Sequence, residues 1–295
     1  MRDTFSSYHP IICLAYFATV IVMSAVFMAP VCLAASFAGA FAYAVYLKRM
    51  KAVKFIFCVC IPLVILAAGV NFLFNHHGVT TLFYINDNPV TKEALVFGGA
   101  MAVMVMSAVI WCYCASMVMT SDKTLYIFGR ALPVISLILS VVLRSIPLFS
   151  RKMKDIRMGQ KAVDTAGENA GKRQRFKSGI RAFSMMITWA LENSVDTALS
   201  MRARGYGLRG RVSYHDQRFD KRDGVFTLIM AVFAAGIITG ATLGFNTMEY
   251  YPETIFPEIN AQSVLLYCAY FIFCMLPLLI DIGEDLKWKY LRSAI

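Results

Sequence analysis

The sequence predicts an all-α polytopic membrane protein with about six membrane-spanning helices and a long cytoplasmic helical insertion. Three observations predict it. Charged residues make up 16% of the 295 residues, against roughly 25% in soluble domains, and mean hydropathy is +0.60. Apolar runs recur along the chain, most of them near the roughly 20 residues a membrane helix needs. Finally, charge is segregated: residues 151–222 hold 17 Lys and Arg against 7 Asp and Glu, nearly all of the net +11.

The apolar runs fall at 11–29, 31–47, 53–74, 94–119, 131–143, 224–245 and 263–280. The first two are almost continuous, and Pro30 is the expected break between them, since proline removes a helix donor. The loop KRMKAVK at 48–54 carries four basic residues and no acid, which places it in the cytoplasm by the positive-inside bias. Crossing out through 53–74 and back through 94–119 returns Thr120–Lys123 to the cytoplasmic side. The run 131–143 is short, in the range of a buried or interfacial helix. Were it to span, the basic segment would lie outside, so it is expected not to span. The loop 246–262 has three Glu and no Lys or Arg and falls outside. The expected organisation is therefore N-terminal membrane helices at 1–123, a cytoplasmic-side helical segment at 124–222 and C-terminal membrane helices at 223–295. Both termini face the cytoplasm.

Within the insertion, 125–163 keeps a helical apolar rhythm interrupted at Pro133 and Pro147. The polar stretch 167–179, bounded by glycines, reads as a linker. Residues 181–204 read as an amphipathic helix lying on or under the membrane part. Ile187, Leu191, Val195 and Ala198 form one face, with Phe183, Met186 and Ala190 beside it, and Glu192 and Asp196 on another.

That helix leads into SMRARGYGLRGR, Ser200 to Arg211, with four arginines and three glycines. Gly205 stands where a helix stop belongs, because glycine tolerates the left-handed conformation that closes a helix. Arg202 and Arg204 then project from the tip, where cations oppose the negative end of the macrodipole. Two readings stay open: a basic helix end touching anionic lipid, or a docking knob whose guanidinium grips a carboxylate-lined groove on a protein partner.

The stretch ENSVDTALSMRARGYG (Glu192–Gly207) resembles the second Ala-Arg-Gly signature of the transmembrane T component of energy-coupling factor (ECF) importers of vitamins and metal ions, the EcfT/CbiQ family. SIPLFSRKMKDIRMGQKA (Ser145–Ala162) is similar to the helix leading into that family's first signature, and Thr120-Ser121-Asp122 to the polar turn before its coupling region, with Lys123 where proline is common. The first signature falls on Ala162-Val163-Asp164, so Val163 and Asp164 replace the family's arginine and glycine. Either Lys161 or Arg157 supplies the charge there, or the first contact is mainly apolar.

The resemblance implies a multi-pass subunit of the prokaryotic cell membrane whose long cytoplasmic coupling helices carry tips that sit in grooves of two ABC-type ATPase subunits. It also implies a separate membrane-embedded substrate-binding (S) subunit that reorients when the ATPases close. Transferred residue by residue, the ATPase-binding candidates are Ala203, Arg204 and Gly205, then Arg202, Ala162 and Lys161, with Arg209 of second rank. No catalytic group, cofactor, metal or nucleic-acid partner is expected.

Other features have plain readings. Gly236, Gly240 and Gly244 form two overlapping G-x-x-x-G patterns, which fit helix packing within the chain or a face for the S subunit. Gly167–Lys172 lacks the spacing, the hydroxyl residue and the preceding strand of a phosphate loop. His76-His77 reads as solvated loop. Arg130 and Arg144, beside the 131–143 run, can snorkel. All eight cysteines lie in apolar runs, where a thiol packs as a small hydrophobe. A self-sufficient secondary transporter would need paired ionisable groups in the spans; the six long runs hold only Lys54, near an edge. A membrane enzyme would need more than the boundary acids Asp122, Asp281, Glu284 and Asp285, which have no matching His or Ser constellation.

Overall fold

The computed structural model describes residues 4–74, 79–85, 88–163, 172–208, 219–246, 248, 250–251 and 260–293. His76-His77, Asp164, most of Gly167–Lys172, Arg209 and most of the loop 246–262 lie outside the described residues. The chain divides into two compact units. One joins Met1–Thr124 to Gln217–Ile295, and the other is Leu125–Asp216.

The first unit is a helical membrane fold. A short 3-10 turn, Phe5–Ser7, precedes α1 (Pro10–Val26) and α2 (Pro30–Lys48), both opened by proline at the first helical turn. Helix α3 (Met50–Phe55) continues through a π turn at Ile56–Cys60 into α4 (Ile61–Phe74). The π turn lies just before Pro62, whose missing N–H and ring disrupt the regular ladder there. An antiparallel hairpin, β1 (Thr81–Ile85) and β2 (Asn88–Thr91), leads into α5 (Lys92–Val118). The apolar rhythm gave no sign of this hairpin, although β-branched and aromatic residues dominate TLFYI. Thr91 caps α5 by accepting from the Ala94 N–H at 3.3 Å. After the insertion, α9 (Lys221–Thr242) begins on a capping box of Asp220 and Asp223, and α10 (Ala261–Ser293) ends the fold.

Its core lies among α1, α2, α5, α9 and α10 and is rich in aromatic side chains: Tyr16, Phe17, Tyr43, Trp111, Tyr270 and Phe273 are all buried. Two of its polar side chains make bonds between helices. The Trp111 Nε1–H donates to Ser36 Oγ at 3.1 Å, joining α5 to α2. Pro277 leaves the Phe273 carbonyl without its helical donor, and the Tyr16 hydroxyl of α1 donates to that carbonyl at 2.9 Å. Gly39 permits the approach of α2 to α10, since a Cβ there would stand 2.9 Å from Cys274 Cβ and 3.3 Å from its carbonyl oxygen.

The two ends of this unit are distinct. At one end the Tyr250 hydroxyl donates to the Met28 carbonyl at 2.6 Å, and Phe97 packs on the rings of Tyr250 and Tyr251. The α1–α2 connection, the start of α5 and the segment after α9 therefore share that end. At the other, Phe5 N–H donates to Asp281 at 2.8 Å, Tyr46 donates to Asp285 at 2.7 Å, Arg222 faces Glu284 at 3.7 Å, and Lys123 donates to Ser6 at 3.3 Å. Burial, with the Glu284 carboxylate next in effect, holds the Tyr8 phenol at this end above its usual pKa.

The second unit carries most of α6 (Ser121–Ala131), then α7 (Pro133–Val163) and α8 (Lys172–Ala203). Three expectations need correction here. Pro133 does separate helices, but Pro147 sits inside an unbroken 31-residue α7. Residues 172–179 are helix rather than linker, because α8 starts at Lys172. The run 131–143 is no isolated short helix either: from Pro133 on it is the apolar start of α7, and Val134–Ala162 is long and apolar enough to cross a bilayer. Among the described residues six helices meet that standard: Pro30–Lys48, Met50–Asn71, Lys92–Val118, Val134–Ala162, Lys221–Thr242 and Ala261–Ser293. Helix α1 falls just below it because Phe27 and Ala29 are extended ahead of Pro30, leaving 17 helical residues. At 1.5 Å per residue that is about 25 Å, the lower limit for a hydrocarbon core.

Candidate functional site

The tip of α8 is built by a glycine. Gly205 has φ +81°, the left-handed region. Its N–H donates to the Arg202 carbonyl at 3.0 Å, and the Tyr206 N–H donates to the Met201 carbonyl at 3.1 Å. These two bonds form a Schellman motif, which satisfies carbonyls the helix end would otherwise orphan. Gly207, at φ +97°, turns the chain again, and Leu208 N–H bonds the Gly205 carbonyl at 3.2 Å. A Cβ on Gly205 would lie 3.1 Å from Leu208 Cδ1, so the turn is closed on itself as well as left-handed. Arg202, Ala203 and Arg204 are all exposed on this tip, and Tyr206 (45%) and Leu208 (72%) flank them with apolar surface. Two guanidinium groups, an alanine too small to obstruct them and an apolar rim thus occupy one compact knob.

Below the tip, α8 packs along α7. Phe149 meets Trp189 edge-on with ring centroids 5.7 Å apart, Lys152 Nζ lies 5.5 Å from the Trp189 ring, and the Ser178 hydroxyl is 3.4 Å from the Gln160 amide. These pairs run in opposite directions along the two helices, so α7 and α8 are antiparallel. The candidate residues Lys161 and Ala162, both exposed, consequently lie at the opposite end of the hairpin from Arg202–Gly205. At 1.5 Å per residue from Lys177 to Arg204, the separation is about 40 Å. Asp164 of the altered first signature is outside the described residues.

The face of α8 that is covered is not its most apolar one. Ala182 and Met186 are buried and Trp189, Ala190, Asn193 and Thr197 are partly covered, a stripe in which small and polar residues alternate with Met186 and Trp189. The more apolar stripe of Phe176, Ile180, Phe183, Ile187, Leu191 and Val195 stays between 45% and 72% exposed. Periodicity found the apolar stripe but could not say that α7 packs on its neighbour.

The three glycines of the G-x-x-x-G patterns have different surroundings. A Cβ at Gly240 would come within 2.6 Å of Leu266 Cδ1 on α10, whereas one at Gly236 would meet nothing within 4 Å. Gly244 has φ +86° and belongs to the turn after α9. Gly236 and Gly240 line an apolar groove of about 510 Å³ between α9 and α10, with Phe233, Leu243, Leu265 and Ala269. Among the described residues no group of three or more His, Cys, Asp or Glu is placed to hold a metal ion, and the eight cysteines are free thiols.

A bundle of apolar helices with an amphipathic hairpin that ends in an exposed basic tip has the make-up of a multi-pass membrane protein. The chain belongs to the CbiQ family, described as cobalt transport protein, whose family model matches residues 7–214. The match takes in helices α1 to α5 and nearly all of the second unit, and it ends before α9. No curated protein matches the chain.

Proposed function

We propose that this transporter component is the energy-coupling subunit of an ATP-driven importer of the energy-coupling factor type. The observation that carries the reading is the Schellman-closed tip at Arg202–Gly205, which exposes two guanidinium groups at the end of a helix packed along α7. In this reading the tip sits in a carboxylate-lined groove of one cytoplasmic ATPase, and the α7 end at Lys161 and Ala162 meets the second ATPase. The antiparallel hairpin and its roughly 40 Å between ends support two separate docking points. The subunit itself is non-catalytic, and ATP is hydrolysed by its partners.

The uncovered apolar stripe of α8 supports a further membrane-embedded partner, the S subunit, which binds the cargo and is reoriented by the hairpin. The cargo is a vitamin or a metal ion, and the family's description points to cobalt. Gly236 and the α9–α10 groove are a second apolar surface for that subunit or for lipid.

Arg204 is the main anchor. A buried, hydrogen-bonded interfacial charge costs about 2–5 kcal/mol when its partner loses it, and a rim charge about 0–1 kcal/mol. Arg204→Glu is therefore expected to abolish co-purification of the ATPases, with Arg209→Glu nearly silent. Undiminished ATPase retention by Arg204→Glu removes the site.

A further inference from the structure

Both crossings between the membrane unit and the insertion meet one short turn. On the way out, Lys123 is buried, two residues before the second unit begins, and its Nζ donates to Ser6 Oγ at 3.3 Å and to the Val118 carbonyl at 3.2 Å. On the way back, Asp223 is buried at the head of α9. Its Oδ1 accepts from the His9 N–H at 3.2 Å, and its Oδ2 accepts from the Asp220 N–H at 3.0 Å. The His9 ring packs against Phe219, 5.8 Å between centroids, at the same return. A third buried acid, Asp281 of α10, accepts from the Phe5 N–H at 2.8 Å.

The turn is also driven into the core as a wedge. Phe5 is fully buried, with edge contacts to Tyr16 (5.5 Å), Phe17 (6.0 Å), Tyr43 (6.5 Å) and Phe226 (5.6 Å). Cys13 Sγ lies 3.5 Å from the Phe5 carbonyl. Three charged side chains from three elements are thus withdrawn from water, and each bonds the same five-residue segment. Burial of charge is costly unless it is paired, and apolar residues would serve packing alone. What the charges add is a defined seating of the segment against α6, α9 and α10 together.

We propose that Phe5–His9 is a clasp that makes the exit root at Lys123, the return root at Asp223 and the α10 segment at Asp281 one rigid block, so that the insertion pivots from a fixed base. Lys123, Asp223 and Asp281 are positioning residues in this device. The existence of the clasp is independent of what the insertion binds. Its purpose, keeping hairpin motion from dissipating at the roots, rests on the coupling function proposed above.

Hydrogen exchange on the full chain in lipid nanodiscs tests the clasp. Lys123→Met removes the charged donor and keeps the length of the side chain. Exchange is expected to rise together in residues 4–13, 120–128 and 219–228, by about tenfold for the lost charge-assisted bond to Ser6, while α2 is unchanged. A rise confined to 120–128 overturns the proposal, because Lys123 would then be a local tether. If α2 also opens, the decision passes to Ser6→Ala, which spares the lysine. The same joint rise at smaller amplitude supports the clasp, and its absence overturns it. In the assembled importer, Lys123→Met is expected to keep ATPase binding and hydrolysis but to lower uptake per ATP. Unchanged uptake per ATP overturns the clasp's purpose, whereas failure of the unmodified chain to bind ATPases overturns the coupling reading instead.

Discussion

Tyr16 shows how a single hydroxyl repairs a helix interrupted in the core. Pro277 cannot donate, so the Phe273 carbonyl four residues earlier would be orphaned were it not for the Tyr16 hydroxyl at 2.9 Å. Tyr16→Phe is expected to cost about 1 kcal/mol, the scale of buried interhelical hydrogen bonds in membrane proteins. Pro277→Ala restores an N–H to that carbonyl. In its background Tyr16→Phe is expected to cost clearly less, so a double-mutant cycle of thermal unfolding in detergent should show coupling between the two sites. Purely additive losses would mean that the hydroxyl does not serve the proline break. Neither partner was legible in the sequence: both sit in apolar runs, and the pairing spans 257 residues. The glycine pattern of α9 was visible, but the glycine that lets two backbones meet is Gly39, where a Cβ would press on the Cys274 backbone as well as its side chain. A small residue in an alanine-rich helix carries no distinguishing signal until its neighbour is known.

At the level of elements, the α8 tip was the most legible part of the candidate site. Gly205 after an amphipathic stretch announces a helix stop, and the structure supplies the two bonds that make the stop a Schellman turn. The start of α8 was hidden, because its first turns are basic and polar and resemble a linker until a neighbour is known. The face packed on α7 was hidden for the same reason: Ala182, Asn193 and Thr197 are small or polar, and apolar periodicity gives them no weight. The tip geometry can be separated from its charge. Gly205→Ala leaves both arginines in place but forces an L side chain into the left-handed region, at a cost of about 1–2 kcal/mol. That lowers the population of the closed turn about 5–30-fold, and apparent affinity falls by up to the same factor. Titrating the ATPases onto the Gly205→Ala chain measures it. Affinity equal to that of the unmodified protein would show that the arginines work without the turn.

For the molecule as a whole, the question is on which side of the membrane the hairpin lies, and the geometry of the first unit constrains the answer. Lys123, Asp223, Asp281, Asp285 and Tyr46 gather at one end, and Met28, Phe97 and Tyr250 at the other. The chain therefore leaves for the insertion and returns from it at the same end, which requires an even number of crossings between Thr124 and Gln217. Among the described helices there, α7 alone is long and apolar enough to span. Helix α8 carries Arg181, Glu192 and Asp196 along its length, and the stretches 164–171 and 209–218 are too short for a bilayer, which needs about 20 residues. A spanning α7 would have no partner to bring the chain back, so α7 is expected to lie along the interface with Arg144 at its surface. The end that holds the roots also carries Lys48, Arg49, Lys287, Lys289 and Arg292, so it is expected to be cytoplasmic by the positive-inside bias. Single cysteines test this after the exposed Cys58, Cys112 and Cys268 are replaced by alanine. An impermeant maleimide applied to intact cells is expected to label Val79→Cys and to leave Met158→Cys and Leu208→Cys untouched until the membrane is permeabilised; all three positions are more than 60% exposed. Labelling of Met158→Cys or Leu208→Cys from outside would place the tip away from any cytosolic ATPase, and the coupling function would have to be abandoned.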